Sequence, residues 1–168
     1  MTHALWPVFV LVLFAVQTHW FMFFRSTQAP DLLLLFLLLF SLDAGGKRGA
    51  RCGFILGTLQ DVVTFSFFGY HIITRFLLGF VIGSSRERIF KDKITTFFVL
   101  VAVVSVFLKI LTAIFLMMYR GHMFPWGPIL SGTIKYMGWN LVCSIPMWII
   151  FRILRDYIGR RENPYYHF

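Results

Sequence analysis

The stretch RCGFILGTLQDVVTFSFFGYHIITRFLLGFVIG, residues Arg51 to Gly83, decides the fold of this chain. It predicts two apolar helices joined by a turn, with glycines spaced four residues apart. One acid and one base lie inside this otherwise apolar stretch. Charged side chains are costly within a membrane and commonly mark function there. The stretch therefore predicts a membrane hairpin with embedded charges.

The composition of the whole chain supports a membrane protein. The 168 residues are 58% hydrophobic and 14% charged, and the mean hydropathy is +0.76. A helix needs about 20 apolar residues to cross the hydrocarbon, so a chain of this length has room for roughly six spans. We therefore expect an all-α integral membrane protein, with residues 1–168 forming a single six-helix transmembrane domain and no separate soluble domain.

Six apolar runs mark the predicted spans. They are Ala4 to Phe24, Leu32 to Leu42, Cys52 to Phe68, Gly69 to Gly83, Ile94 to Met118, and Trp126 to Ile153. The second and fourth runs are short for a span, which predicts little tilt, a thin bilayer around them or shielding by protein.

Basic residues are concentrated in alternate loops, which predicts the orientation. They are Lys47, Arg48 and Arg51 after the second run, Arg86, Arg88, Lys91 and Lys93 after the fourth, and Arg152, Arg155, Arg160 and Arg161 after the sixth. The opposing loops carry only Arg25 and Arg120. The positive-inside rule then puts both termini in the cytoplasm, whether the third and fourth runs cross fully or re-enter as a pair.

The formal charge of +9 follows from the same boundary residues. Attraction to anionic membrane lipids accounts for it, so membrane lipids are expected partners and nucleic acid is not.

The glycines of the hairpin form helix faces that allow close approach. Gly53, Gly57 and Asp61 are spaced at i, i+4 and i+8, and Gly79 and Gly83 repeat the spacing in the fourth run. Packing between helices of this chain is favoured over binding to a partner helix. Gly69 is the predicted tight turn on the outer side.

Four ionisable residues are predicted to share one layer in the outer half of the membrane. Counted at ~1.5 Å per residue from Gly69, Asp61 lies ~12 Å and Arg75 ~9 Å deep, and Lys109 and Lys135 lie ~13 Å below the ends of their own helices. Asp61 and Arg75 are expected to form a structural ion pair across the hairpin, with a role at a partner interface as the alternative.

The two lysines have two interpretations. Their stems can extend toward the outer head groups, or an anion from outside the chain, such as a lipid phosphate or an acidic group of a partner, can compensate them.

Catalysis finds little support in the sequence. The chain has no G-x-S-x-G, no H-E-x-x-H and no Walker loop. His71 shares a helix face with Arg75 and is interpreted as a packing residue. Cys52 and Cys143 support neither a disulfide framework nor a metal site. We expect no enzyme, no catalytic residue, no cofactor and no metal.

These residues resemble the rod shape-determining MreD family of bacteria. The resemblance rests on Pro30 with the apolar run after it, the loop from Gly45 and Gly46 to Gly49, and the motif G-F-I-L-G-T-L-Q-D followed by F-F-G-Y-H. The motif positions are Gly53, Phe54, Gly57, Leu59, Gln60, Asp61 and Gly69. The similarity covers nearly the whole chain.

The resemblance implies a non-enzymatic, multi-pass scaffold of the bacterial inner membrane. Such proteins act in cell-shape determination within the elongasome, the machinery of lateral peptidoglycan synthesis. The implied partners are MreC, bound through the glycine faces, and also the MreB filament, the polymerase RodA and its penicillin-binding transpeptidase.

The family fold is also similar to the substrate-binding component of energy-coupling factor transporters, so a vitamin transporter is the alternative. A vitamin site needs a polar cavity open to the outside and long outer loops to close it. The outer loops here are brief, roughly Arg25 to Asp31, the turn at Gly69, and Tyr119 to Pro125, which favours the scaffold. A third possibility is that the cation layer handles a lipid-linked wall precursor.

Overall fold

The computed structural model describes residues 5–20, 29–64, 69–86, 94–120 and 126–162, and every regular element in these ranges is an α-helix. The helices are α1 (Leu5–Thr18), α2 (Leu32–Ala44), α3 (Gly46–Thr64), α4 (Tyr70–Ser84), α5 (Ile94–Arg120) and α6 (Trp126–Glu162). The all-α prediction is confirmed for these residues.

Helix α2 is the centre of the bundle and contacts each of the other five helices. Its residues Leu33 to Leu38 are at most 1% exposed. Leucine and phenylalanine occupy every side of this helix, and a helix that is apolar all round becomes stable when other helices cover it. Of the three expectations for the short second run, the structure shows shielding by protein.

Helices α3 and α4 form a tightly packed antiparallel hairpin. A methyl group on Gly53 would overlap the backbone oxygen of Arg75, and one on Gly57 would lie 2.5 Å from the backbone oxygen of His71. Gly79 and Gly83 meet the backbones of Gly49 and Gly45 in the same way. The chain itself occupies these glycine faces. This agrees with the favoured interpretation of packing between helices of this chain, and it differs from the implied binding of MreC through these faces.

Two helices extend more than a turn beyond the predicted apolar runs. Helix α3 begins at Gly46 rather than Cys52, and α6 continues to Glu162 rather than ending at Ile153. Lysine and arginine are good helix formers, so a helix continues into basic sequence where the apolar run has ended. Gly45, with φ 86°, separates α2 from α3.

Some sequence predictions fall outside the described residues. They concern Arg25, Arg88, Lys91, Lys93, the ends of the apolar runs at Ala4, Phe24 and Phe68, and the side chains of Arg120, Arg160 and Arg161.

Within the described ranges, two helical segments are long and apolar enough to cross a membrane. They are Ile94–Met118 and Ile129–Gly159. Helices α1, α2 and α4 are apolar but shorter.

The bundle has two ends with different chemistry. At the first, called the Gly69 end, the amide of Leu33 in α2 donates to Gln17 in α1, and the amide of Asp31 donates to Asn140 in α6. At the opposite end, called the Arg155 end, Arg155 binds Asp43 at 3.1 Å and Arg86 donates to the backbone oxygen of Asp43. Successive helices therefore alternate in direction.

Candidate functional site

The Gly69 end holds a buried ion pair between Asp31 and Arg75. The Nη2 atom of Arg75 lies 2.6 Å from Oδ1 and 2.8 Å from Oδ2 of Asp31. The two side chains are 11% and 2% exposed, so the charges are shielded from solvent. Opposite charges at this distance compensate each other where solvent does not.

Asp31 is also the N-cap of α2 and a junction for other helices. Its Oδ1 accepts a hydrogen bond from the amide of Leu34, the usual role of an aspartate before a helix. Its own amide donates to Oδ1 of Asn140, and the Asn140 side chain donates to Ser105. Through Asp31 and Arg75, these contacts connect α2, α4, α5 and α6.

Asp61 has a different role from the one predicted. Its carboxylate accepts hydrogen bonds from the amides of Gly69, His71 and Ile72, at 2.9 to 3.1 Å. Asp61 therefore caps the start of α4, where Gly69 adopts φ 101°. The predicted Asp61–Arg75 pair is corrected, because Arg75 binds the carboxylate of Asp31. The hairpin is closed by a charge-assisted cap, in which a carboxylate meets the positive end of a helix.

The two lysines of the predicted layer face different surroundings. The Lys109 ammonium lies 4.4 Å from the centre of the Tyr136 ring, in cation–π geometry, and the residue is half-buried. Lys135, the residue before Tyr136, is exposed. The structure therefore places Asp61, Arg75 and Lys109 inside the bundle and Lys135 on its surface.

A cavity of about 360 Å³ lies beside the ion pair. Its polar lining includes Arg75, Lys109 and Asp31, and it also reaches His71 and Tyr136. The remaining lining residues are Gln17, Gln60, Tyr70, Thr74, Leu108, Thr112 and Leu116. The hydroxyls of Tyr70 and Thr112 lie 2.7 Å apart and join α4 to α5 at the cavity wall.

Sequence reasoning missed Asp31 and the polar face of α6. An aspartate that follows Pro30 and precedes an apolar run is an N-cap signal. Tyr136, Asn140 and Ser144 recur every four residues, and the structure buries all three. Buried polar residues on one face of an apolar helix indicate an internal hydrogen-bond network.

The site is suited to binding and to holding helices together. In the described part of the chain, no group of three or more His, Cys, Asp or Glu residues is placed to hold a metal ion. Cys52 and Cys143 are free thiols. The charged and polar groups mostly bind one another, and among them Arg75 retains an Nη1 atom without a hydrogen-bond partner.

Comparison with known proteins identifies one related family. The family model described as rod shape-determining protein MreD matches residues 1–158. Neither the curated proteins nor the solved structures gave a match.

Proposed function

The chain belongs to the rod shape-determining MreD family, and on that premise we propose that it is a non-enzymatic scaffold of the elongasome in the bacterial inner membrane. The family is a component of the system that determines cell shape together with MreC. In this proposal the protein binds MreC and thereby supports lateral peptidoglycan synthesis. MreB, RodA and a penicillin-binding transpeptidase are the further partners.

The observation that supports a scaffold is the use of the buried charges to hold helices in place. Arg75 and Asp31 join α4 to α2, and Asp61 closes the turn between α3 and α4. A preorganised frame loses little conformational entropy when a partner binds, which favours affinity. An enzyme would instead need an acid, base or nucleophile kept available for chemistry.

The proposed topology has six spans in one domain that covers residues 1–168. The exposed residues Lys47, Arg48 and Arg51 in α3, with Arg152 and Arg155 in α6, favour a cytoplasmic location for the Arg155 end. The Gly69 end then faces the outer side, and both termini lie in the cytoplasm. The short helix α2 fits this arrangement because it is covered by protein.

The likeness to the substrate-binding component of energy-coupling factor transporters is proposed for the fold alone. Vitamin transport gains no support from the family match. Because the glycine faces are packed inside the chain, the proposal assigns MreC to surfaces other than those faces.

The test is an affinity purification of the tagged protein in mild detergent, with mass spectrometry of proteins and small molecules that copurify. Recovery of MreC with wall-synthesis proteins is expected. Recovery of an ATPase module with a bound vitamin, or of no shape-determining protein at all, would contradict the proposal. A parallel shape assay in cells lacking the chromosomal copy should show rods with the wild-type protein and rounded cells without it.

A further inference from the structure

The cavity at the Gly69 end contains a buried cation that its carboxylate partner satisfies only in part. Both short contacts to Asp31 come from Nη2 of Arg75. The other terminal nitrogen, Nη1, is buried and has no hydrogen-bond partner, although the side chain is only 2% exposed. Buried donors are rarely left unpaired in native proteins, so the Arg75 guanidinium has donor capacity that the described protein groups do not use.

The charges around the cavity favour an anion as the acceptor for this guanidinium. Arg75 and Lys109 are cations in the lining, and Asp31 is the one carboxylate among the described residues that line it. Asp61 lies nearby, but its oxygens accept hydrogen bonds from the amides at the start of α4. Three titratable rings also line the cavity: the imidazole of His71 and the phenols of Tyr70 and Tyr136.

The size and the apolar part of the lining limit the class of ligand. A volume of about 360 Å³ is at the small end of the range for sites that take small organic ligands. Leu108 and Leu116 of α5 line one side and offer an apolar surface next to the cations. This combination suits an oxyanion, either free or carried on an acyl chain.

We propose that this cavity binds a phosphate-type oxyanion between Arg75 and Lys109, supplied by a phospholipid head group or by free phosphate. The Arg75 guanidinium and the Lys109 ammonium contribute the two positive charges, the usual chemistry of phosphate recognition in proteins. This goes beyond the scaffold function, because it assigns the protein a ligand of its own.

The experiment uses the purified full chain in detergent and three probes. They are short-chain phosphatidic acid, the diacylglycerol with the same chains, and inorganic phosphate. The unfolding temperature is recorded against probe concentration, because a ligand that binds only the folded state raises it. Lys109→Met is the test variant. Lys135→Met is the matched control, since it removes an exposed lysine outside the cavity.

We expect phosphatidic acid to raise the unfolding temperature of the wild type and of Lys135→Met. We expect Lys109→Met to weaken its apparent affinity at least about tenfold, because a charge-assisted contact is lost. A shift with inorganic phosphate would identify free phosphate as the source, and a shift with phosphatidic acid alone would identify a lipid. Arg75→Lys, if monodisperse, should also bind more weakly.

Three results would overturn the proposal. The first is a diacylglycerol shift equal to that of phosphatidic acid, and the second is equal binding by both lysine variants. The third is no shift in the wild type with any probe. If Lys109→Met then also fails to recover MreC in the copurification test, a segment of the partner occupies the cavity instead of an oxyanion. Since the assay uses the chain alone, its failure leaves the copurification test of the scaffold function unaffected.

Discussion

Arg75 of α4 binds Asp31 at the start of α2, although the two residues lie 44 positions apart in the sequence. The contact joins the central helix to the glycine-packed hairpin inside the bundle. Arg75 therefore belongs to two structural units, because its backbone oxygen also faces Gly53 of α3. The charge of Arg75 is compensated by Asp31 from another part of the chain rather than by Asp61 in the same hairpin.

Asp31→Asn should destabilise the protein by about 3–5 kcal/mol, because it leaves the Arg75 guanidinium buried without a counter-charge. Thermal unfolding in detergent measures the effect. The matched control is Asp43→Asn, which removes the carboxylate of an arginine pair whose side chains are 40% and 45% exposed. That change should cost less than about 1 kcal/mol. Equal losses in the two variants would show that burial of the first pair does not matter.

A double variant separates the ion pair from the rest of the site. Asp31→Asn combined with Arg75→Gln removes both charges and should recover part of the loss seen with Asp31→Asn alone. No recovery would indicate that the remaining hydrogen bonds of Asp31, to Leu34 and Tyr136, carry most of its effect.

Asp61→Ala should lower the free energy of unfolding at the start of α4 by about 1–3 kcal/mol, since three backbone donors lose their acceptor. Hydrogen exchange at the amides of Gly69, His71 and Ile72 should become faster, while exchange in α6 stays unchanged. Asp61→Asn should be intermediate, because it keeps one of the two acceptor oxygens. The exposed Asp156→Ala is the control, and unchanged exchange in Asp61→Ala would contradict the capping role.

Gly53→Ala should lower the unfolding temperature and the monodisperse yield, because its Cβ would overlap the backbone of Arg75. Overpacking of this kind costs roughly 1–3 kcal/mol. Gly138→Ala in α6 is the control, as nothing lies within 4 Å of the added methyl group. There, the better helix propensity of alanine should leave stability equal or up to about 1 kcal/mol higher. An unchanged unfolding temperature for Gly53→Ala would show that α3 and α4 can move apart without a loss of stability.

The helices were predictable from the sequence because each apolar run stands out in composition. The ends of α3 and α6 were not, since helix formation continues into basic residues such as Lys47 and Arg155 that an apolar count excludes. The central position of α2 was visible only as a run of leucines without a polar face. That pattern indicates complete coverage, but it does not name the helices that provide the cover.

The sequence predicted the depth of the charged residues correctly, but the predicted ion pair between them was wrong. Counting residues from Gly69 put Asp61 and Arg75 at similar depth, and the structure buries both to 2% exposure. The same count assigned them to each other. It took no account of the direction in which each side chain points, nor of Asp31, which α2 brings to Arg75 from another part of the chain.

The sequence by itself determined the helical membrane class, the glycine spacing, the turn at Gly69 and the presence of embedded charges, because each depends on local composition and periodicity. Tertiary structure alone decided the partner of each charge. Asp31 binds Arg75, Asp61 caps α4, Lys109 lines the cavity and Lys135 remains outside. The physical reason is that ion pairing depends on distances of a few ångströms between helices, which follow from how the helices rotate and pack around α2.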